Sequence, residues 1–306
     1  MALRAGPVSY DRAFPLGTYP TCTVVTTEPV PCTQAAHERR MRSQIMAGPY
    51  TDLPAKPLVE AILEIKWRLK ENKDPAYPLY TGLLAGRVSD TFPTQERLPA
   101  ADVPDELTPH LVKFRFRAGR DEWPVIQAGP GVVTLNVTDG YTWEVFHSLA
   151  TYLWDNLQEA YSPFNGDKPP EATHLQLRYI NSVPLSGADP ESFLKQKLHT
   201  SLSLPQTVSE KHSSGPVQQA ALSVAYPVEY EGTTGALKFQ SAKQNGVDIM
   251  LFELLADTEF GNPPTAQRFG EWLSYVHELL EDWFFALVDG ELLASFLGGT
   301  DGSSDN

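Results

Sequence analysis

Apolar and polar residues alternate through Pro57–Leu69 (PLVEAILEIKWRL), where patterned sequence begins. Val59, Ala61, Leu63, Ile65, Trp67 and Leu69 fall on one face, and Glu60, Glu64, Lys66 and Arg68 on the other, with Leu58 and Ile62 interrupting. A period of two, rich in branched and aromatic side chains and opened by a proline, predicts a strand with one face on a core. Leu79, Leu83, Leu84 and Val88 then predict a helix over Pro78–Asp90, and the proline-rich, acidic Pro93–Pro109 a surface loop. Short strands are predicted at Leu111–Arg117, Trp123–Ala128 and Val132–Val137, the last two joined by a Gly129-Pro130-Gly131 turn. Phe146, Leu149, Leu153, Leu157 and Ala160 mark the buried stripe of a long helix from about Thr142 to Tyr161.

The same order then starts again. Thr173–Leu185 predicts a strand, and Asp189-Pro190 opens a short helix through His199 with a suitable N-cap and first-turn proline. Strands follow at Val217–Tyr230, Ala236–Ser241 and Val247–Leu255, the last two joined by an Asn245-Gly246 turn. Phe269, Trp272, Val276, Leu279, Leu280 and Trp283 give the stripe of a final helix over Thr265–Val288. Aligning Gly131-Val132 with Gly246-Val247, and Phe146 with Phe269, pairs Tyr152 with Tyr275, Leu153 with Val276 and Leu157 with Leu280. The expectation is an α+β fold of two similar halves, 51–166 and 167–297, each strand, helix, three strands and long helix. Helices would cover antiparallel sheets, with flexible tails at 1–50 and 298–306.

The strand Pro57-Leu58-Val59-Glu60-Ala61-Ile62-Leu63-Glu64-Ile65, the strand Leu177-Arg178-Tyr179-Ile180-Asn181 and the aromatic C-terminal helix resemble a sporadically distributed prokaryotic family. Its marks are a P-x-V-E-A-x-x-E-[IF] strand and an R-Y-I-N strand. The resemblance spans roughly Leu53–Leu297 and implies no settled chemistry; the patchy occurrence of such proteins suggests defence- or toxin-linked genes.

Composition narrows the function classes. The formal charge of -14 over 306 residues argues against a nonspecific grip on nucleic acid or on an anionic membrane. Both cysteines, Cys22 and Cys32, precede the patterned region, so no disulfide framework or cysteine nucleophile is expected within it. The stretch after Met1 lacks the apolar run of a secretory signal, and a reduced, cytoplasmic setting is the expectation. The histidines show no H-x-x-x-H spacing, and G-x-S-x-G, Walker A and G-x-G-x-x-G are absent, so no metal, cofactor or catalytic residue is assigned. His277, near Ser274 and Glu281, reads as a solvated histidine on the polar side of its helix.

Four polar residues remain as binding or structural candidates: Glu60, Glu64, Arg178 and Asn181. On a strand, Glu60 and Glu64 stand roughly 13 Å apart, too far to act as a carboxylate pair on one bond. The sequence therefore predicts that Arg178 bridges one of them and fixes the register between the halves. Lys113, Arg115 and Arg117, interleaved with Phe114 and Phe116, read as an amphipathic strand that neutralises nearby carboxylates. Trp272, Trp283 and Phe284 crowd the last helix beyond what one stripe buries, which marks core first and a partner surface second. The expected function is a non-catalytic protein-interaction or regulatory module that binds another protein or itself. The alternatives are a small-molecule module with a pocket between sheet and long helix, and an enzyme using Glu60 or Glu64 with Arg178 in a cleft.

Overall fold

The computed structural model describes residues 53–205, 207 and 213–298, and the expected tails at 1–50 and 298–306 lie outside them except for Gly298. Nine antiparallel strands form one continuous sheet in the order β2-β3-β4-β5-β1-β6-β9-β8-β7. The strands are β1 (Leu58–Trp67), β2 (Thr94–Arg97), β3 (Phe114–Arg117), β4 (Val125–Gly129), β5 (Val132–Val137), β6 (Ala172–Pro184), β7 (Ala221–Pro227), β8 (Thr233–Gln244) and β9 (Val247–Glu259). The helices are α1 (Tyr77–Arg87), α2 (Trp143–Tyr161), α3 (Pro190–Lys197), α4 (Ala266–Val288) and α5 (Glu291–Phe296). The α+β class is as the periodicity predicts.

The stretch Thr94–Arg97, read from sequence as loop, is instead an edge strand, so the first half has four strands after its helix. Two short 3-10 turns, Pro99–Asp102 and Asp105–Leu107, follow it. The terminal helix α5 also escaped the sequence reading, being too short to show a period. From the centre outward the first half runs β1-β5-β4-β3-β2 and the second β6-β9-β8-β7, so both place the opening strand beside the closing one. The halves join through β1 and β6, with Ile62 opposite Arg178, and belong to one compact unit beginning at Pro54.

Strand alternation decides what each face of the sheet carries. Ala61, Leu63, Ile65 and Trp67 are at most 2 % exposed, and the β6 residues opposite them, Leu175, Leu177 and Tyr179, are buried too. Helices pack on this face. Trp272 donates its indole N–H to Thr258 at 2.8 Å, and Phe284 stacks on Phe252 with ring centroids 6.2 Å apart. The long helices also meet each other: Trp154 stacks on Phe269 at 4.3 Å and Trp143 on His277 at 3.7 Å, so α2 and α4 run antiparallel. Thr142 and Thr265 cap them, accepting the N–H of Val145 at 3.3 Å and of Arg268 at 3.2 Å.

Asp74, only 6 % exposed, ties four elements of the first half together. Its carboxylate accepts from the indole of Trp67 at 3.0 Å, the hydroxyl of Tyr161 at 3.0 Å, and the backbone N–H groups of Ala76 at 3.1 Å and Gly131 at 3.2 Å. These donors belong to β1, α2, the start of α1 and the β4–β5 turn. Burial raises the Asp74 carboxyl above its usual range even against four donors.

Candidate functional site

The opposite face of the sheet carries the polar residues of β1 and β6. Adjacent strands place Glu96, Arg115, Gln127, Asn136, Glu60, Arg178, Glu253 and Lys238 in a row across β2, β3, β4, β5, β1, β6, β9 and β8. Arg115 Nε donates to Gln127 Oε1 at 2.8 Å, Gln127 Nε2 to Asn136 Oδ1 at 2.9 Å, and Asn136 Nδ2 to Glu60 Oε1 at 2.8 Å. Burial raises the Glu60 carboxyl, partly offset by Asn136 and by the charges of Arg178 and Arg115.

The predicted bridge from Arg178 to Glu60 or Glu64 does not form. Arg178 Nη1 lies 3.9 Å from Glu253 Oε2 on the neighbouring strand β9. Glu64 pairs instead with Lys66, two residues along its own strand, at 2.5 Å. Arg178 stands opposite Ile62 on β1 and Leu255 on β9, so Glu60, Glu64 and Glu253 are all its diagonal neighbours, and its side chain goes to the carboxylate on β9. Two polar atoms in this row, Arg178 Nε and Glu253 Oε2, are buried without a hydrogen-bond partner among the described residues.

Asn181 does not share this face. The alternation puts it on the helix side, 2 % exposed, with Nδ2 at 3.4 Å from the carbonyl of Phe252. The four polar candidates therefore split into a row of sheet-face groups and one core amide. The strand of Lys113, Arg115 and Arg117 is neutralised locally, by Asp105 at 2.5 Å for Lys113 and by Glu96 at 3.9 and 3.3 Å for the arginines.

His277 is not solvated. Burial drives its pKa down to about 4, leaving it neutral at pH 7. Tyr141 Oη donates to Tyr179 Oη at 2.9 Å, and Tyr179 Oη in turn lies 3.0 Å from His277 Nδ1. With the Tyr179 oxygen already accepting, its own proton goes to Nδ1, which places the imidazole proton on Nε2. Helical spacing alone had set His277 on the polar side; the second helix, α2, brings Trp143 over it.

The aromatic trio also divides. Trp272 is fully buried core, and Phe284 lies between Phe252 and Phe296. Only Trp283 reaches the border of the sheet. It lies over Gly235, where an added Cβ would come within 2.4 Å of its ring, and it meets Tyr226 of β7 edge-on at 6.2 Å. Tyr226 is 53 % exposed.

A cleft of about 370 Å³ opens at the ends of β1, β6 and β9, lined by Lys66, Trp67, Arg68, His110, His174 and Phe260 among others. No residue of the long helices lines it, and none of Glu60, Glu64, Arg178 or Asn181 does. His174 Nε2 there sits 3.2 Å from Asp257, whose carboxylate raises the imidazole pKa. Among the described residues no group of histidine, cysteine and carboxylate side chains is arranged to hold a metal ion. No described helix is long and apolar enough to cross a membrane.

The two ends of the sheet differ. At one end β2 is four residues long, Thr-Gln-Glu-Arg, and its Glu96 and Arg97 carry charge. At the other, β7 is seven residues long, Ala-Leu-Ser-Val-Ala-Tyr-Pro, and carries none. Sheet edges are normally blunted by brevity, charge or cover, because their free N–H and C=O groups template pairing. Among the described residues β7 pairs with β8 alone. Sequence reading placed a strand here but had no means of knowing that it ends the sheet.

Comparison with family models finds no match, and comparison with curated proteins finds none. Among solved structures the chain is similar to DynU16, a protein of the dynemicin biosynthetic locus. The identity is 14%, the match covers 76% of this chain and 97% of that one, and the TM-score is 0.25.

Proposed function

We propose that this protein is a non-catalytic protein-interaction module whose working surface is the β7 edge together with Tyr226 and Trp283. The single observation behind this reading is the uncharged, seven-residue edge strand at one end of a sheet whose other end is short and charged. Strand addition to such an edge gives affinity through main-chain hydrogen bonds and specificity through alternate side chains. The polar row supports the same reading by elimination. Glu60, Glu64 and Arg178 are engaged with Asn136, Lys66 and Glu253, and none of them lines the cleft at Lys66 and His174, which favours binding over the enzyme alternative. A regulatory, defence-linked setting is part of the proposal and rests on the family resemblance alone.

The test is purification of the tagged chain from its native host, beside an Ala225→Pro variant. A protein, foreign or a second untagged copy, should co-purify in stoichiometric amount with the wild type and be at least tenfold depleted with the variant. Recovery of a stoichiometric small molecule and no protein would sink the reading in favour of the cleft at Lys66, Arg68 and His174.

A further inference from the structure

We infer that the β7 edge pairs with the β7 edge of a second copy of this chain, joining two nine-stranded sheets antiparallel about a two-fold axis at Val224. This rests on the reading of β7 as an interaction edge and names its partner.

The hydrogen-bond parity of β7 carries the inference first. Ser241 donates its N–H to the carbonyl of Ala220 at 2.9 Å, and Val228 donates its own to Thr233 at 3.2 Å. Even-numbered residues of this strand therefore direct their backbone groups inward to β8, and Ala221, Ser223, Ala225 and Pro227 direct theirs outward. In a two-fold pairing centred on Val224, Ser223 of one copy faces Ala225 of the other. Each such pair exchanges both backbone bonds, and the symmetry supplies the pair twice. Ala221 faces Pro227, so the missing proline N–H falls at the end of the ladder, where a proline is tolerated.

Side-chain pattern carries it second. Leu222, Val224 and Tyr226 share the helix side of β7, and the alternating Ala221, Ser223 and Ala225 share the other. Read about Val224 the strand is a palindrome in kind: Leu222 meets Tyr226, Val224 meets Val224 and Ser223 meets Ala225. Apolar faces apolar on the helix side, small faces small on the other, and no charge meets its like. That last point matters for a chain of formal charge -14, whose copies repel one another on balance. An isologous contact requires this self-complementarity, and an unrelated strand would have no reason to impose it. Leu222 and Val224 are half-buried already, and Tyr226, a large exposed side chain, would be covered by Leu222 of the other copy.

Sedimentation of the full chain across ~1–100 μM tests this. The wild type should approach twice 33.9 kDa with rising concentration. Ala225→Pro and Ser223→Pro each remove an outward N–H and no bond to β8, so both should raise the dimer dissociation constant at least tenfold while leaving the near-UV dichroism of the fold unchanged. A wild type that stays monomeric throughout the range overturns the inference, as does a dimer that both folded proline variants leave intact. A monomer whose foreign protein partner is lost in Ala225→Pro overturns self-pairing and leaves the interaction module standing. A monomer with no protein partner overturns both.

Discussion

His277 holds a neutral imidazole between Trp143 and the Tyr179 hydroxyl, and its protonation should be felt by the whole fold. Its folded pKa of about 4 lies below the 6.5 of an ordinary imidazole. The unfolded chain therefore binds this proton more readily, and the stabilisation it implies is full above pH 6.5 and lost as the pH falls toward 4. At about 1.36 kcal/mol per unit the loss is on the order of 3 kcal/mol. Denaturant unfolding between pH 4 and 7 checks it: His277→Asn keeps an acceptor near Nδ1 but cannot titrate, and should lack this component of the fall. Two glycines give a second contrast at the same scale. An added Cβ at Gly129 would lie 2.0 Å from the backbone oxygen of Leu111, whereas at Gly82, inside α1, it meets nothing within 4 Å. Gly129→Ala should cost about 2 kcal/mol or more through a forced backbone shift. Gly82→Ala should stabilise by about 0.5–1 kcal/mol through helix propensity and a less flexible unfolded chain. Thermal unfolding of the two variants would show opposite shifts.

The stripes of α2 and α4 and the alternation of β1 were legible, because each is a local period that one buried face imposes on the sequence. Asp74 was not, although it orders more elements than any residue the pattern singled out. Nothing about an aspartate before Pro75 says that Trp67, Tyr161 and Gly131 will converge on it, since those donors come from separate elements. Asp74→Ala would leave those buried donors without an acceptor and should destabilise by about 3 kcal/mol or more. Asp74→Asn, which keeps one acceptor oxygen, should lose less. Denaturation midpoints would order the three proteins. If Asp74→Ala unfolds with the wild type, Asp74 is not the knot that its geometry describes.

At the scale of the whole molecule, charge opposes the association proposed for β7, because each copy brings its formal -14 to the contact. Salt screens that repulsion while leaving the uncharged strand pairing in place. Dimerisation should therefore tighten several-fold between about 50 and 500 mM salt, the reverse of an ion-pair interface, and sedimentation at both salt concentrations would read it. The sequence by itself determined the α+β class, the order of most elements and the apolar face of each, because burying one face writes a period into the chain. Only the tertiary structure decided that both halves share one sheet, that Arg178 answers Glu253 in place of Glu60 or Glu64, and that Asn181 is core. It alone also decided that β7 ends the sheet. Register and strand order are set by which strands lie side by side, and no period along a single strand records its neighbour.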